Sequence, residues 1–243
     1  MKSKVLIFCL LLSVIPALSV KAQMKTYWYK EIEAFFGGGT TSYFGDVGGA
    51  DPTVTGVQAV FDHLDIDLWQ TRAALTAGMR LMPFKSLSFS AMISPMLISG
   101  NDKGSKYTYR GYSFTTEIVE FSAQVEYYFA NRMTGFAPYI FGGAGGIAYG
   151  WKSNLVEKRV WETGNTFILG LGSRFPQTRN VTHSLDFGFH LTKTYKDNLD
   201  GLAISIPLVP DNGRSPDLLF LISYKVNFNV FTLLTYDYRG RVK

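Results

Sequence analysis

Apolar and polar residues alternate one by one along Glu117 to Phe129, EIVEFSAQVEYYF. Val119, Phe121, Ala123, Val125, Tyr127 and Phe129 share one face, and Glu120, Ser122, Gln124 and Glu126 share the other. A period of two is that of a strand, whose successive side chains point to opposite sides. The polar face carries a carboxylate at each end, so cations must reach it from elsewhere in the chain.

The pattern recurs, and it predicts strands over 31–38, 72–82, 87–98, 115–129, 136–150, 165–175, 183–194 and 216–230, with 231–243 as a C-terminal tail. The first sets Ile32, Ala34 and Phe36 against Glu31 and Glu33. The second sets Ala73, Leu75, Ala77, Met79 and Leu81 against Arg72, Thr76, Gly78 and Arg80. Serines form the polar face of the third. In the fifth, Ala137, Tyr139, Phe141, Ile147 and Tyr149 are expected outside, with Gly142, Ala144, Gly146 and Ala148 filling a crowded interior. The sixth places Gly170, Gly172 and Arg174 inward, the seventh Asp186, Gly188 and His190, and the eighth Ser223, Lys225, Asn227 and Asn229.

The connections discriminate between kinds of sheet. They run long, short, long, short, long, short, long: Gly39 to Gln70, Pro83 to Ser86, Ser99 to Tyr112, Asn131 to Gly135, Trp151 to Gly164, Pro176 to Thr182 and Tyr195 to Ser215. Within the first, Gly56 to Phe61 reads as a short strand or helical turn. A barrel in an outer membrane sorts its loops in this way, with short periplasmic turns and longer extracellular loops. A soluble sandwich has no reason to. Closure follows from the solvent, because hydrocarbon cannot satisfy a free sheet edge. Tyr127, Tyr128, Phe129, Tyr139, Tyr149, Trp151 and Tyr224, near strand ends, are expected to form the interfacial girdles. The fold class is therefore all-β: an eight-stranded antiparallel transmembrane β-barrel.

Eight strands enclose a bore that side chains fill, so no open pore is expected. The inward residues include Glu31, Glu33, Glu120, Glu126 and Asp186 against Arg72, Arg80, Arg174, Lys225 and His190. Charges withdrawn from water persist only when paired, so these ten are read as a structural network lining the lumen.

Composition adds export. Lys2 and Lys4 precede an apolar run from Val5 to Val20, and Ala22 ends a segment, 1–22, that reads as a signal peptide, leaving one domain over 23–243. Without it, 21 basic residues face 19 acidic ones, no excess for nucleic acid. Cys9 is the sole cysteine and leaves with the signal, so neither a disulfide nor a thiol nucleophile is expected. Outer-membrane lipid is the expected surrounding, and no small-molecule substrate is implied.

Candidate chemistry is sparse. Asp62-His63-Leu64-Asp65-Ile66-Asp67 lacks the glycine and terminal glutamate of a calcium loop and reads as a solvated loop. Asp197-Asn198-Leu199-Asp200-Gly201 reads as a turn held by its Asx side chains. Gly142 to Gly146 has no lysine or helix after it and is strand packing rather than a phosphate loop. A lipid-modifying barrel would need serine, histidine and carboxylate together, and no serine is evident beside His190 and Asp186. No catalytic, cofactor-binding or metal-binding residue is assigned.

Several segments together carry a resemblance: EIEAFFGGGTTSYFGDVGG at Glu31 to Gly49, RGYSF at Arg110 to Phe114 ahead of EIVEFSAQVEYYF, FAPYIFGGAG at Phe136 to Gly145, and TYKDNLDG at Thr194 to Gly201. In this order and spacing they resemble the PorG-type outer-membrane proteins of the type IX secretion system of Bacteroidota. The resemblance implies a small barrel shaped like the OmpA membrane domain, associated with a periplasmic ring of PorK- and PorN-like subunits and needed to assemble the secretion machine. It implies no catalytic residues. The alternative is a general small barrel of the OmpA or OmpX kind serving envelope integrity or adhesion. The short turns and the basic tail Thr235 to Lys243, with Arg239, Arg241 and Lys243, are where a periplasmic partner is expected.

Overall fold

The computed structural model describes residues 29–44, 70–103, 109, 111–130, 135–156, 159–176, 180–194, 199–201 and 217–234. The signal segment, Gly56 to Phe61, the Asp62–Asp67 stretch and the tail beyond residue 234 lie outside them.

Eight strands follow one another: β1 (Tyr29–Phe44), β2 (Arg72–Met82), β3 (Leu87–Asn101), β4 (Ser113–Tyr128), β5 (Ala137–Ser153), β6 (Val160–Pro176), β7 (Val181–Thr194) and β8 (Asp217–Leu234). Each pairs antiparallel with the next and the sheet closes on itself. The short turns, beginning with Pro83–Ser86 between β2 and β3, gather at one end, and the connections after β1, β3, β5 and β7 at the other.

Most strands outrun the stretches that alternation marks. β1 continues through Gly37-Gly38-Gly39 to Phe44, and β5 runs to Ser153 while β6 begins at Val160, so most of the loop expected over Trp151 to Gly164 is strand. Glycine and threonine obscure the two-residue period without breaking the ladder: Gly37 pairs with Thr76, Gly39 with Ala74, and Gly164 with both Ile147 and Thr194.

Outward positions are apolar and open, as in Phe36, Leu75, Met79, Phe121, Phe167 and Leu169, the last 67% exposed. Such a belt on every strand is the reverse of a soluble surface and matches a lipid-facing one. An aromatic girdle circles the short-turn end, where Tyr127 meets Phe129 edge-on, Phe136 leans on Phe175, and Tyr224 stacks on His183. Tyr128, Tyr139, Tyr149 and Trp151, expected in the girdles, are instead buried inside.

Tyr128 shares the inner face of β4 with Glu126, and for the other three the difference traces to β5, whose facing is opposite to the expectation. Ala137, Tyr139, Phe141, Ile147 and Tyr149 line the bore, and Gly142, Ala144, Gly146 and Ala148 face out. The cause is its neighbour. Phe141 pairs with Gly170 and Tyr139 with Gly172, and a Cβ on either glycine would run into the paired ring. The small inner face of β6 is the space these rings occupy. Two small faces side by side would have left a void, which close-packed interiors do not tolerate.

Candidate functional site

Among the described residues the buried polar groups gather in the bore, which divides along its axis. In the half nearer the short turns, β2 contributes Arg80, fully buried, and β1, β4 and β8 answer it. Its Nε lies 2.8 and 3.0 Å from the two Glu126 oxygens. Its Nη1 donates to Asn227 Oδ1 at 2.8 Å and reaches Glu33 at 3.5 Å. Glu33 is gripped by both terminal nitrogens of Arg174 in a fork, the planar geometry that suits guanidinium to carboxylate. Glu126 also accepts from Ser88 and Tyr128, each at 2.7 Å.

A second link lies beside it. Lys225 Nζ sits 2.7 Å from Asp186, which also accepts a close hydrogen bond from Tyr139. Arg80 and Lys225 both lie over the Phe35 ring, 5.3 and 5.0 Å from its centroid, where the negative face of the π-system is shared between them. Phe35 fits because Gly78 on β2 has no Cβ to meet it. Sequence reasoning missed Phe35, since it counted apolar residues as outward-facing.

Further along, His190 Nδ1 is 2.7 Å from Glu120, and Ser122 donates to the other Glu120 oxygen at 3.0 Å. Serine, carboxylate and histidine thus do meet, in an order that does not serve nucleophilic catalysis. The carboxylate sits in the middle, whereas activating a serine requires the imidazole to hold its hydroxyl.

Of the ten residues expected to line the bore, Glu33, Arg80, Glu120, Glu126, Arg174, Asp186, His190 and Lys225 are drawn into these contacts. Glu31 is buried nearer the turn end, 3.4 Å from Asn229. Arg72 is placed differently. It begins β2 at the loop-end rim, exposed, donating to the neighbouring Thr71 carbonyl. Its parity points inward, but the strand has reached water by that residue.

The loop-end half is closed by other means. Tyr43, Ile98, Tyr112, Phe114, Tyr149 and Trp151 pack as one buried cluster. A piece of the β7–β8 connection, Leu199-Asp200-Gly201, packs into it. Leu199 is fully buried and its carbonyl accepts from Thr116 at 2.8 Å. The Asp200 carbonyl accepts from Tyr112 at 2.9 Å, and its carboxylate from Tyr43 at 3.2 Å. Gly201 has φ of +74°, and any Cβ on it would strike the Trp151 ring. Leu199 to Gly201, within the stretch expected to be a turn held by Asx side chains, therefore form a plug, anchored by tyrosine hydroxyls from the barrel wall. Asp197 and Asn198 lie outside the described residues. The signal for a plug was present in Leu199, an apolar residue amid Asp, Asn and Gly.

Among the described residues no cluster of three metal-ligating side chains occurs, and no helix is long and apolar enough to cross a membrane, which says nothing of a β-barrel.

No protein family matches the chain, and no curated protein does. Among solved structures the fold resembles Neisserial surface protein A (NspA), with a TM-score of 0.50 and 10% identity over 82% of this chain and 96% of that one. The N-terminal β-barrel domain of Pseudomonas aeruginosa OprF gives a TM-score of 0.43 at 9% identity, covering 82% of this chain and 99% of that one. At such identity the likeness to NspA establishes the eight-stranded outer-membrane barrel fold and nothing finer.

Proposed function

We propose that the protein is a non-enzymatic outer-membrane barrel that acts as a scaffold, and that it is an assembly component of the type IX secretion machinery, associated with periplasmic PorK- and PorN-like ring subunits. The observation that carries the scaffold reading is the double closure of the bore, by ion pairs in one half and by an aromatic plug in the other. A cylinder stoppered twice does not conduct solutes, which leaves its rims, turns and outer wall to meet partners. What supports the secretion role is the resemblance along Glu31 to Gly49, Arg110 to Phe129, Phe136 to Gly145 and Thr194 to Gly201. All four stretches supply parts of the closure, through Glu33 and Tyr43, Glu120 and Glu126, Tyr139, and the plug.

The test is genetic. Deleting the gene is expected to stop export of cargo bearing the type IX C-terminal signal, and the purified barrel is expected to carry ring subunits with it. Loss of that association when Tyr236 to Lys243 is removed would place the contact on the basic tail. Undiminished export in the deletion strain removes the secretion role and leaves the second reading, a small barrel for envelope integrity or adhesion, which the fold alone fits equally.

A further inference from the structure

Outside the bore, the loop-end rim carries a cationic cleft directly above an apolar groove, and the same strands build both. Register fixes the stacking. Ser99, Thr115 and Lys152 form one cross-strand row over β3, β4 and β5, with Arg159 just ahead of β6. Two residues toward the membrane, Leu97, Glu117, Gly150 and Trp161 form the next row, and Pro95, Val119, Ala148 and Thr163 the one after. Residues two apart on a strand lie roughly 7 Å from one another on the same face, so cleft and groove are neighbours within the span of one lipid headgroup.

The upper space, about 650 Å³, is lined by Arg72, Lys103, Lys152 and Arg159, and among the described residues no aspartate or glutamate joins that lining. Arg159 is paired with Glu117 at its lower edge. Among the described residues no carboxylate is within ion-pair distance of the other three. The cleft is held open by its own hydrogen bonds. The Gln70 amide brackets the Asn101 backbone at 2.9 and 3.2 Å, and Asn154 accepts from the Ser113 amide at 3.1 Å while donating to the Gly111 carbonyl at 2.9 Å. The lower space, about 340 Å³, is floored by Ala73, Leu75, Pro95, Leu97 and Val119 and walled by Trp161. The Trp161 ring lies flat over Gly150, where a Cβ would come within 2.8 Å of it, and is 57% exposed.

Cations at the depth where hydrocarbon ends favour phosphate, and a groove on the lipid side of them favours an acyl chain. We infer that this wall of the barrel binds a phosphorylated glycolipid of the surrounding leaflet, with its phosphate and sugar in the cleft and one acyl chain along the groove against Trp161. The inference rests on the barrel reading and is independent of any secretion role.

The test uses the full mature chain in uncharged detergent micelles, with native mass spectrometry reading lipid retention. The probes are bis-phosphorylated lipid A, the same lipid after phosphatase treatment, and inorganic phosphate. The wild-type barrel is expected to retain the phosphorylated lipid about tenfold better than the dephosphorylated one. K103Q/K152Q is expected to erase that preference, and Trp161→Ala to weaken retention of both lipids. All three side chains are exposed, so the heat-modified gel mobility of a folded barrel should persist in both variants. Equal retention of the two lipids by the wild type, an unchanged preference in K103Q/K152Q, or displacement of the lipid by equimolar inorganic phosphate would each overturn the inference, the last by revealing a free-anion site. A wild-type chain with no heat-modifiable mobility would sink the barrel reading with it.

Discussion

The two halves of the bore solve the same problem with different chemistry. Toward the short turns, closure comes from charges on opposite walls: Arg80, Glu33, Arg174 and Glu126 span the lumen, with Asn227, Ser88 and Tyr128 adding hydrogen bonds to them. Toward the loops, closure comes from aromatic packing around a returning segment whose polar atoms are met by Tyr43, Tyr112 and Thr116. A charge network tolerates the loss of a member poorly, because the partner stays behind in low dielectric. A packed plug instead forfeits contact area and leaves a cavity. The turn end should therefore be brittle and the loop end forgiving, and five single substitutions and one double variant can break or sharpen that contrast.

The largest effect is expected for Arg80→Ala, which strands Glu126 and leaves Glu33 to Arg174 alone, and should cost ~3–5 kcal/mol, read as the urea midpoint of the barrel in micelles. Lys225→Met should also destabilise, whereas Lys225→Met combined with Asp186→Leu should cost less than the single change, since the pair leaves together. If the double variant is the worse of the two, the network is not built from separable pairs. Next comes Trp151→Ala, whose cavity should cost about 3 kcal/mol without exposing a charge. Gly201→Ala should cost ~1–3 kcal/mol through its positive φ and the clash with Trp151, and it should make the β7–β8 connection sensitive to protease while the barrel keeps its heat-modified mobility. The smallest belongs to Arg72→Ala, within about 0.5 kcal/mol, because the rim is already wet. An Arg72→Ala loss comparable to that of Arg80→Ala would abolish the distinction between lumen and rim.

How much of this is legible in the chain depends on which physical signal each element carries. Alternation in EIVEFSAQVEYYF gives both the strand and its facing, and Glu120 and Glu126 do find cations and a histidine from other strands. Parity carries the same information for β1, β2, β3, β6, β7 and β8. It fails for β5, since aromatic and small residues alternate there with nothing charged to mark the inside. The deciding residues, Gly170 and Gly172, belong to β6 and act only through register. It also fails at the strand ends, where Gly, Thr and Trp continue the ladder past any hydrophobic period, and where Arg72 keeps its parity but emerges into water. The plug was hidden for a related reason: an Asp-Asn-Leu-Asp-Gly stretch has the composition of a surface turn, and only the aromatic walls around it show where Leu199 goes.

The cross-lumen bonds join positions far apart along the chain: Arg174 to Glu33 is a separation of 141 residues, and Arg80 to Asn227 one of 147. The last strand brings both Lys225 and Asn227. A half-inserted sheet lacking it would hold Asp186 and Arg80 without their completing partners, still wanting water. Sealing the seam and drying the lumen are thus one event, and a chain cut short before residue 217 should be caught by envelope proteases as an unfinished cylinder rather than persist as a smaller one.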